Sequence, residues 1–495
     1  MKFYSTRSRE HQAASMEAVL KGIAPDGGLY TPLDFDSMQV DLGDLLGRNA
    51  VEISTLVIGK ILDDFAPEEM RALIEAAYDG KFETEDLTPV EKVGDDFVLE
   101  LFRGPTSAFK DVALSVLPRL IVASREKLGV SEEIAILTAT SGDTGKAALE
   151  GFHDVAGTRI VVFYPDGGVS DVQKAQMVTQ EGGNVRVCAV CGNFDDAQTG
   201  VKDIFADDGR SGWAAKSGAR LSSANSINIG RLAPQVAYYF KAYCDLVLRG
   251  EITLGDEVNF VVPTGNFGDI LAGEFARRMG LPVAKLVCAS NANNVLTDFI
   301  RTGVYDRRRE FYKTSSPSMD ILVSSNLERY LFLASGGDFD LVAGLMDDLR
   351  SQGVYTAPES LMDIMREHFA AGCADDARAL EAIGRVWREY EYLMDPHTAV
   401  GWAVMEDFKA REDNGCVNVV LSTASPYKFC RDVLSAISDE DPADGFDAMD
   451  RLHAATGVPV PERLARLRGL PVRFADCVEK DAMLEYVKDA VYRDA

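Results

Sequence analysis

Gly104-Pro105-Thr106-Ser107-Ala108-Phe109-Lys110-Asp111 is the stretch from which the rest of the chain can be read. Its lysine follows an aromatic and several small residues and stands at the mouth of an apolar helical pattern, Val112 to Val122 (VALSVLPRLIV). A lysine held against such a surface loses hydration, which favours the neutral amine over the ammonium. Neutral amines attack carbonyls, and the aldehyde of pyridoxal phosphate (PLP) is a biological carbonyl suited to one. Taken alone, a lysine at such a place is far more often a surface residue opening a helix. Its surroundings decide.

Outward from this stretch, strands alternate with helices, the pattern of a parallel sheet covered on both faces. Phe97 to Phe102 reads as a strand before it. Ile134 to Leu137, Arg159 to Tyr164, Val185 to Val190, Val258 to Val262, Val283 to Cys288 and Val417 to Leu421 read as strands after it. Three of them run into loops rich in Gly, Ser, Thr and Asn: Thr140-Ser-Gly-Asp-Thr-Gly145, Pro263-Thr-Gly-Asn-Phe-Gly268 and Ser422-Thr-Ala-Ser-Pro-Tyr-Lys428. Ligands of parallel sheets bind beyond the carboxyl ends of strands, so these loops are expected to converge on one cleft. The chain divides into a small N-terminal unit (1–95), the first part of an α/β core (96–300), a mostly helical insertion (301–390), and a segment completing the core with C-terminal helices (391–495).

Each loop suits an anion. In Gly265-Asn-Phe-Gly268 the glycines allow close backbone approach, while first-turn amides and the helix dipole favour a phosphate. A tight strand-to-helix turn would look the same. The dinucleotide fingerprint fails on spacing, as does the P-loop, because Gly142-Asp-Thr-Gly145-Lys146-Ala147 is too short and lacks the hydroxyl after its lysine. Ser141 and Thr144 offer hydroxyls at a helix start, which suits a carboxylate. Asn225-Ser-Ile-Asn-Ile-Gly-Arg231 is dense in amide and hydroxyl donors and closes on an arginine, a second phosphate site or a polar helix cap.

The 495 residues carry a formal charge of −27, which speaks against a nucleic-acid footprint. Any anionic ligand must therefore be held by a local cluster of donors. No apolar run is long enough to cross a bilayer and the N-terminus lacks a signal-like core, so a cytoplasmic protein without a membrane partner is expected. Eight dispersed cysteines suit a reducing compartment. Cys188-Ala-Val-Cys191 is a lone CxxC without a second pair or a nearby histidine, so structural cysteines are expected and no metal.

Together and in this order, GPTSAFKD, TSGDTG, NSINIGR, PTGNFGD and STASPYKF resemble threonine synthase, a fold-type II PLP enzyme. The N-terminal FYSTRS and GIAPDGGLYTP resemble its longer bacterial and fungal branch. The resemblance runs from residue 1 to about 435 and is least distinctive over 300–390. It implies two parallel-sheet α/β domains with a small N-terminal domain and a helical insertion. It also implies that Lys110 carries the cofactor covalently and that Gly265, Asn266, Phe267, Gly268 and Asp269 bind the cofactor phosphate. Thr423 would face the pyridine nitrogen, Asn225, Ser226 and Arg231 the substrate phosphate, and Ser141 and Thr144 the substrate carboxylate. Ser425 departs from the histidine often found there. The implied activity is that of a carbon–oxygen lyase acting on a phosphate ester. It would make L-threonine and phosphate from O-phospho-L-homoserine and water, in a monomer or weak homodimer. A PLP lyase yielding 2-oxobutyrate, or a non-catalytic ligand-binding protein, would share the cofactor motifs.

Overall fold

The computed structural model describes residues 1–412 and 414–492. Two mainly parallel sheets carry the chain. The larger has six strands in the order Phe369–Cys373, Val283–Ser290, Val258–Pro263, Val417–Ser422, Asp96–Glu100 and Val90–Val93. All are parallel to their neighbours except the last, which pairs antiparallel. The second has five, Cys477–Glu479, Val185–Cys191, Thr158–Pro165, Glu133–Ala139 and Ala219–Ser222, parallel throughout. The central strands are apolar runs buried on both faces, as helix-covered parallel sheets require. The expected α/β class with two parallel sheets is what the chain adopts.

The N-terminal segment adds a three-stranded antiparallel sheet, Ser8–Ala13, Phe3–Ser5 and Thr31–Pro32. Its helix Ala50–Ile61 packs on the long buried helix Ile229–Leu248. Residues 301–390 hold four helices of eight or more residues, Leu327–Ala334, Phe339–Gln352, Glu359–His368 and Asp376–Tyr390. They also hold the antiparallel ladder of Val304–Asp306 with Val354–Thr356. Phe369–Cys373 (FAAGC) then forms the edge strand of the large sheet, beside Val283–Ser290. This segment is therefore woven into the core more deeply than an insertion read as helical. Its strand escaped the sequence reading because small residues carry little β-branched signal. Likewise Cys477–Glu479 joins the second sheet beside Val185–Cys191, which brings the Cys477 and Cys191 sulfurs to 3.1 Å. Cys188, its neighbour in the CxxC, is buried. Among the described residues no helix is long and apolar enough to cross a membrane.

The helix Lys110–Lys127 contains Pro118, which has no N–H to offer the Leu114 carbonyl one turn back. Helix Asp143–Phe152 crosses at this point through Gly151, where a Cβ would lie 2.0 Å from the Leu114 oxygen. Gly151→Ala would ordinarily stabilise a helix by about 1 kcal/mol. Here the overlap with a rigid carbonyl reverses the sign, and a net loss of about 2 kcal/mol is expected. A lowered urea midpoint checks it; an unchanged or raised one would show that the two helices can slide apart freely.

Candidate active site

The loops beyond three strand ends line a single cleft of about 930 Å³, together with Lys110, Asn225, Ser226 and Arg231. Backbone pairing brings its parts into register. The Phe109 N–H donates to the Thr423 carbonyl at 2.8 Å, and the Ser425 N–H to the Ser107 carbonyl at 3.1 Å. Thr423 and Lys110 are thus neighbours although far apart in sequence. The turn before the lysine closes on Asp111, whose carboxylate accepts from the Thr106 N–H at 2.8 Å and hydroxyl at 2.6 Å. Burial, partly offset by those bonds, pushes Asp111 up to about 6.

Lys110 is the first residue of its helix and 7% exposed. Its Nζ donates to Ser318 Oγ at 3.3 Å and lies 3.6 Å from Asp143 Oδ2. Burial brings its pKa from the usual 10.5 down to about 8, against the pull of Asp143 and with help from Arg231 and Lys428. Burial thus moves the amine toward its neutral form.

The Gly265–Gly268 loop is tightly held. The Phe267 backbone is left-handed, φ 61°, a costly state for a bulky residue. Packing retains it: the ring is buried and stacks on Phe369 at 5.7 Å between centroids. The loop then opens the helix Gly268–Arg278, whose first amides have no acceptor within the helix. At Gly265 a Cβ would come within 2.9 Å of the Ser318 carbonyl and 3.1 Å of Met319 Cα, so only glycine allows that approach. The Asp269 carboxylate is turned to Tyr238 and Tyr239, whose hydroxyls donate to it at 2.5 and 3.0 Å. Burial, relieved in part by those bonds, raises it to about 6. Toward a phosphate, Asp269 therefore has its N–H to offer.

Arg231 lies in the first turn of helix Ile229–Leu248, 4% exposed. Its Nη1 donates to the Ala224 carbonyl at 2.8 Å, and its buried Nε has no partner. Among the described residues no carboxylate pairs with it, and burial lowers its pKa to about 10. A buried guanidinium with an idle donor, in so acidic a chain, is prepared for an anion. Thr140 Oγ1 accepts from the Gly142 and Gly145 N–H groups, shaping the turn that carries Ser141 and Thr144 into the cleft wall. The Ser425 hydroxyl accepts from the Tyr427 N–H and caps the turn Pro426–Phe429. That gives it a structural task in place of a histidine's.

Several site residues escaped the sequence reading. Ser318 comes from the 301–390 segment and carries no local signal. His397, lining the cleft, accepts from the Ser318 N–H at 3.1 Å through Nε2, while its Nδ1 is 2.7 Å from Asp395. Arg329, fully buried, donates to the Tyr30, Ser226 and Ile227 carbonyls and so fixes the 225–231 loop against the N-terminal unit. Asp143 and Lys428 stand inside recognised motifs, and their buried ion pair of 2.6 Å became visible only in three dimensions.

A buried low-pKa lysine, a glycine-rich helix start for a phosphate and a hydroxyl beside the lysine fit PLP, and the fold and site define a fold-type II PLP-dependent enzyme. The family model described as pyridoxal-phosphate dependent enzyme matches residues 91–423. Threonine synthase N-terminus and C-terminal models match 2–78 and 398–491. Threonine synthase from Eremothecium gossypii is 36% identical, with 98% of this chain and 97% of that protein covered. The PLP-bound crystal structure of threonine synthase from Brucella melitensis superposes with a TM-score of 0.87 at 36% identity, covering 99% of both chains. Threonine synthase-like 1 of Homo sapiens is 40% identical over 85% of this chain, which spans 58% of that protein's length. The chain belongs to the threonine synthase family.

In the full-length chain freed of cofactor, acetylation of Lys110 followed by mass spectrometry should show a midpoint near pH 8. The amine is neutral and reactive above that pH, charged and slow below it. A midpoint at the ordinary lysine value would refute the geometry described.

Proposed function

We propose that the protein is a threonine synthase converting O-phospho-L-homoserine and water to L-threonine and phosphate. The observation that carries this reading is the unpaired, buried Arg231 in the same cleft as the poised Lys110. A phosphorylated amino acid is the substrate that needs both. Bound PLP supplies an electron sink for negative charge developing beside the substrate nitrogen. The Gly265, Asn266, Phe267, Gly268 and Asp269 main chain would hold its phosphate, and the Thr423 hydroxyl would meet its ring nitrogen. A hydroxyl there cannot protonate the ring as a carboxylic acid could.

The chain's own residues then divide the work. Asn225, Ser226 and Arg231 grip the substrate phosphate, and Ser141 and Thr144 orient its carboxylate. Lys110 Nζ takes the proton from Cα and shuttles the proton at Cβ, so that phosphate departs from Cγ. One of these protons is then returned to Cγ and the other to Cα, while water adds its hydroxyl to Cβ and gives up its remaining proton. The product carries the threonine skeleton. Phosphate retained by Arg231 is available to accept a proton from the attacking water. We place the enzyme in the cytoplasm as a monomer or weak homodimer, the latter open to sedimentation analysis.

Incubating the PLP-loaded protein with O-phospho-L-homoserine should give L-threonine and one equivalent of phosphate by NMR. Phosphate with 2-oxobutyrate would instead mean a lyase on the same cofactor site. Arg231→Ala should raise KM for the phosphorylated substrate by 10- to 100-fold, from roughly 1.5–3 kcal/mol of charge-assisted bonding. Unchanged kinetics would remove Arg231 from the phosphate site.

A further inference from the structure

Behind Lys110 stand two groups that the proposed reaction does not use. Asp143 opens the helix Asp143–Phe152 at the end of the second sheet, and Lys428 lies in the turn Pro426–Phe429 beyond the large one. Neither lines the cleft. Lys428 is fully buried and Asp143 is 2% exposed. Lys428 Nζ lies 2.6 Å from Asp143 Oδ1 and donates to the Thr106 carbonyl at 3.1 Å. Gln173 Nε2 donates to the same Oδ1 at 2.9 Å. The other oxygen, Oδ2, accepts from Ser318 Oγ at 3.0 Å and is 3.6 Å from Lys110 Nζ.

One buried carboxylate is therefore shared unequally between two lysines. If both were charged, Lys110, Lys428 and Asp143 together would hold one positive charge in excess, with Arg231 adding its own field to Lys110. Excess charge is costly in a poorly solvated site and is relieved by releasing a proton where pairing is weakest. That place is Lys110, at 3.6 Å, and not Lys428, at 2.6 Å. The remaining charged or titratable neighbours are already engaged. Asp111 is bonded to Thr106 and turns its charge on Lys428 and Lys146 and not on Lys110, Lys146 is paired with Glu150, and His397 is bonded to Asp395. Asp143 itself stays ionised. Burial opposes its charge, but Lys428, Lys110 and His397 hold its carboxyl far below the usual range.

We infer that Lys428 is a positioning residue for the reaction: by occupying Asp143 it stops that carboxylate from holding Lys110 as an ammonium, and so leaves the Lys110 amine able to act as a base. Without Lys428, Asp143 turns its whole charge on Lys110. Without Asp143, Lys110 faces Lys428 and Arg231 with no counter-ion. The two losses have opposite signs, which a mere structural strut between the sheets would not produce. The inference rests on Lys110 being the reactive amine, but not on the identity of the substrate.

The test is the pH midpoint of Lys110 acetylation in the full-length chain freed of cofactor, beside the pH profile of kcat in the loaded enzyme. Lys428→Met should raise the acetylation midpoint by about one unit or more, and Asp143→Asn should lower it by a similar amount. The double variant K428M/D143N should lie between the two, and K428R, which keeps the charge, should stay at the wild-type midpoint. The alkaline shift in K428M should recur in its kcat profile. Folded K428M with an unmoved midpoint, or both single variants moving the same way, overturns the inference. If K428M fails to fold, D143N decides alone: a midpoint that does not fall overturns it. A wild-type enzyme that makes no threonine would sink the preceding proposal while leaving this titration to be judged separately.

Discussion

Burial of the Lys110 amine is the constraint around which the site is built. A lysine that kept its water would be an ammonium nearly all the time and would seldom offer the lone pair that attacks an aldehyde or accepts a proton. Withdrawing it from water requires the neighbouring charges to be disposed of as well, and the molecule does so with few groups. Asp143 is held by Lys428, Gln173 and Ser318, of which the first two are buried and the third is half-buried at the cleft. In so dry a place Coulombic forces are strong, and small differences in distance decide which lysine keeps its proton.

The same contacts join the two halves of the protein. Asp143 belongs to the second sheet's first loop, Lys428 to the turn following a strand of the large sheet, and Lys110 to the helix between them. The zipper of residues 107–109 against 423–425 fixes the lysine beside Thr423. Ser318 arrives from the 301–390 segment and is held through its N–H by His397. Its carbonyl comes close enough to Gly265 to exclude a side chain there. Changes in any of these four segments would be felt at the Lys110 amine.

Anion binding in a chain of net charge −27 poses the opposite problem. The reading proposed for the cleft meets it locally, with a desolvated arginine and a helix start, not with a basic surface. Arg231 pays for its burial with part of its own basicity, and Arg329, buried more deeply still, spends its donors on main-chain carbonyls. The first is left open to a ligand, while the second holds the loop that presents Asn225 and Ser226. Two arginines in similar surroundings thus differ in what is left over: Arg329 meets several internal acceptors, while Arg231 meets the Ala224 carbonyl and keeps a buried Nε without a partner.

The sequence by itself determined the α/β class, most central strands and the loops that follow them, and marked Lys110 as a candidate that only the other motifs, in their order, singled out. These follow from local rules: apolar runs of strand length, turn residues after them, and the hydration of a lysine beside an apolar helix. The glycine-rich Gly265–Gly268 helix start was legible for the same reason. Tertiary structure alone decided which charges meet. Lys110 and Ser318 are 208 positions apart, and Ser318 and Asp143 are 175 apart. Nothing in the spacing of STASPYKF says that its lysine ends on the aspartate of TSGDTG. The small-residue strand Phe369–Cys373 and the Cys191–Cys477 approach were equally silent, because their signal lies in strand pairing and not in composition. Periodicity records what each segment buries; only the folded chain records what each buried charge finds beside it.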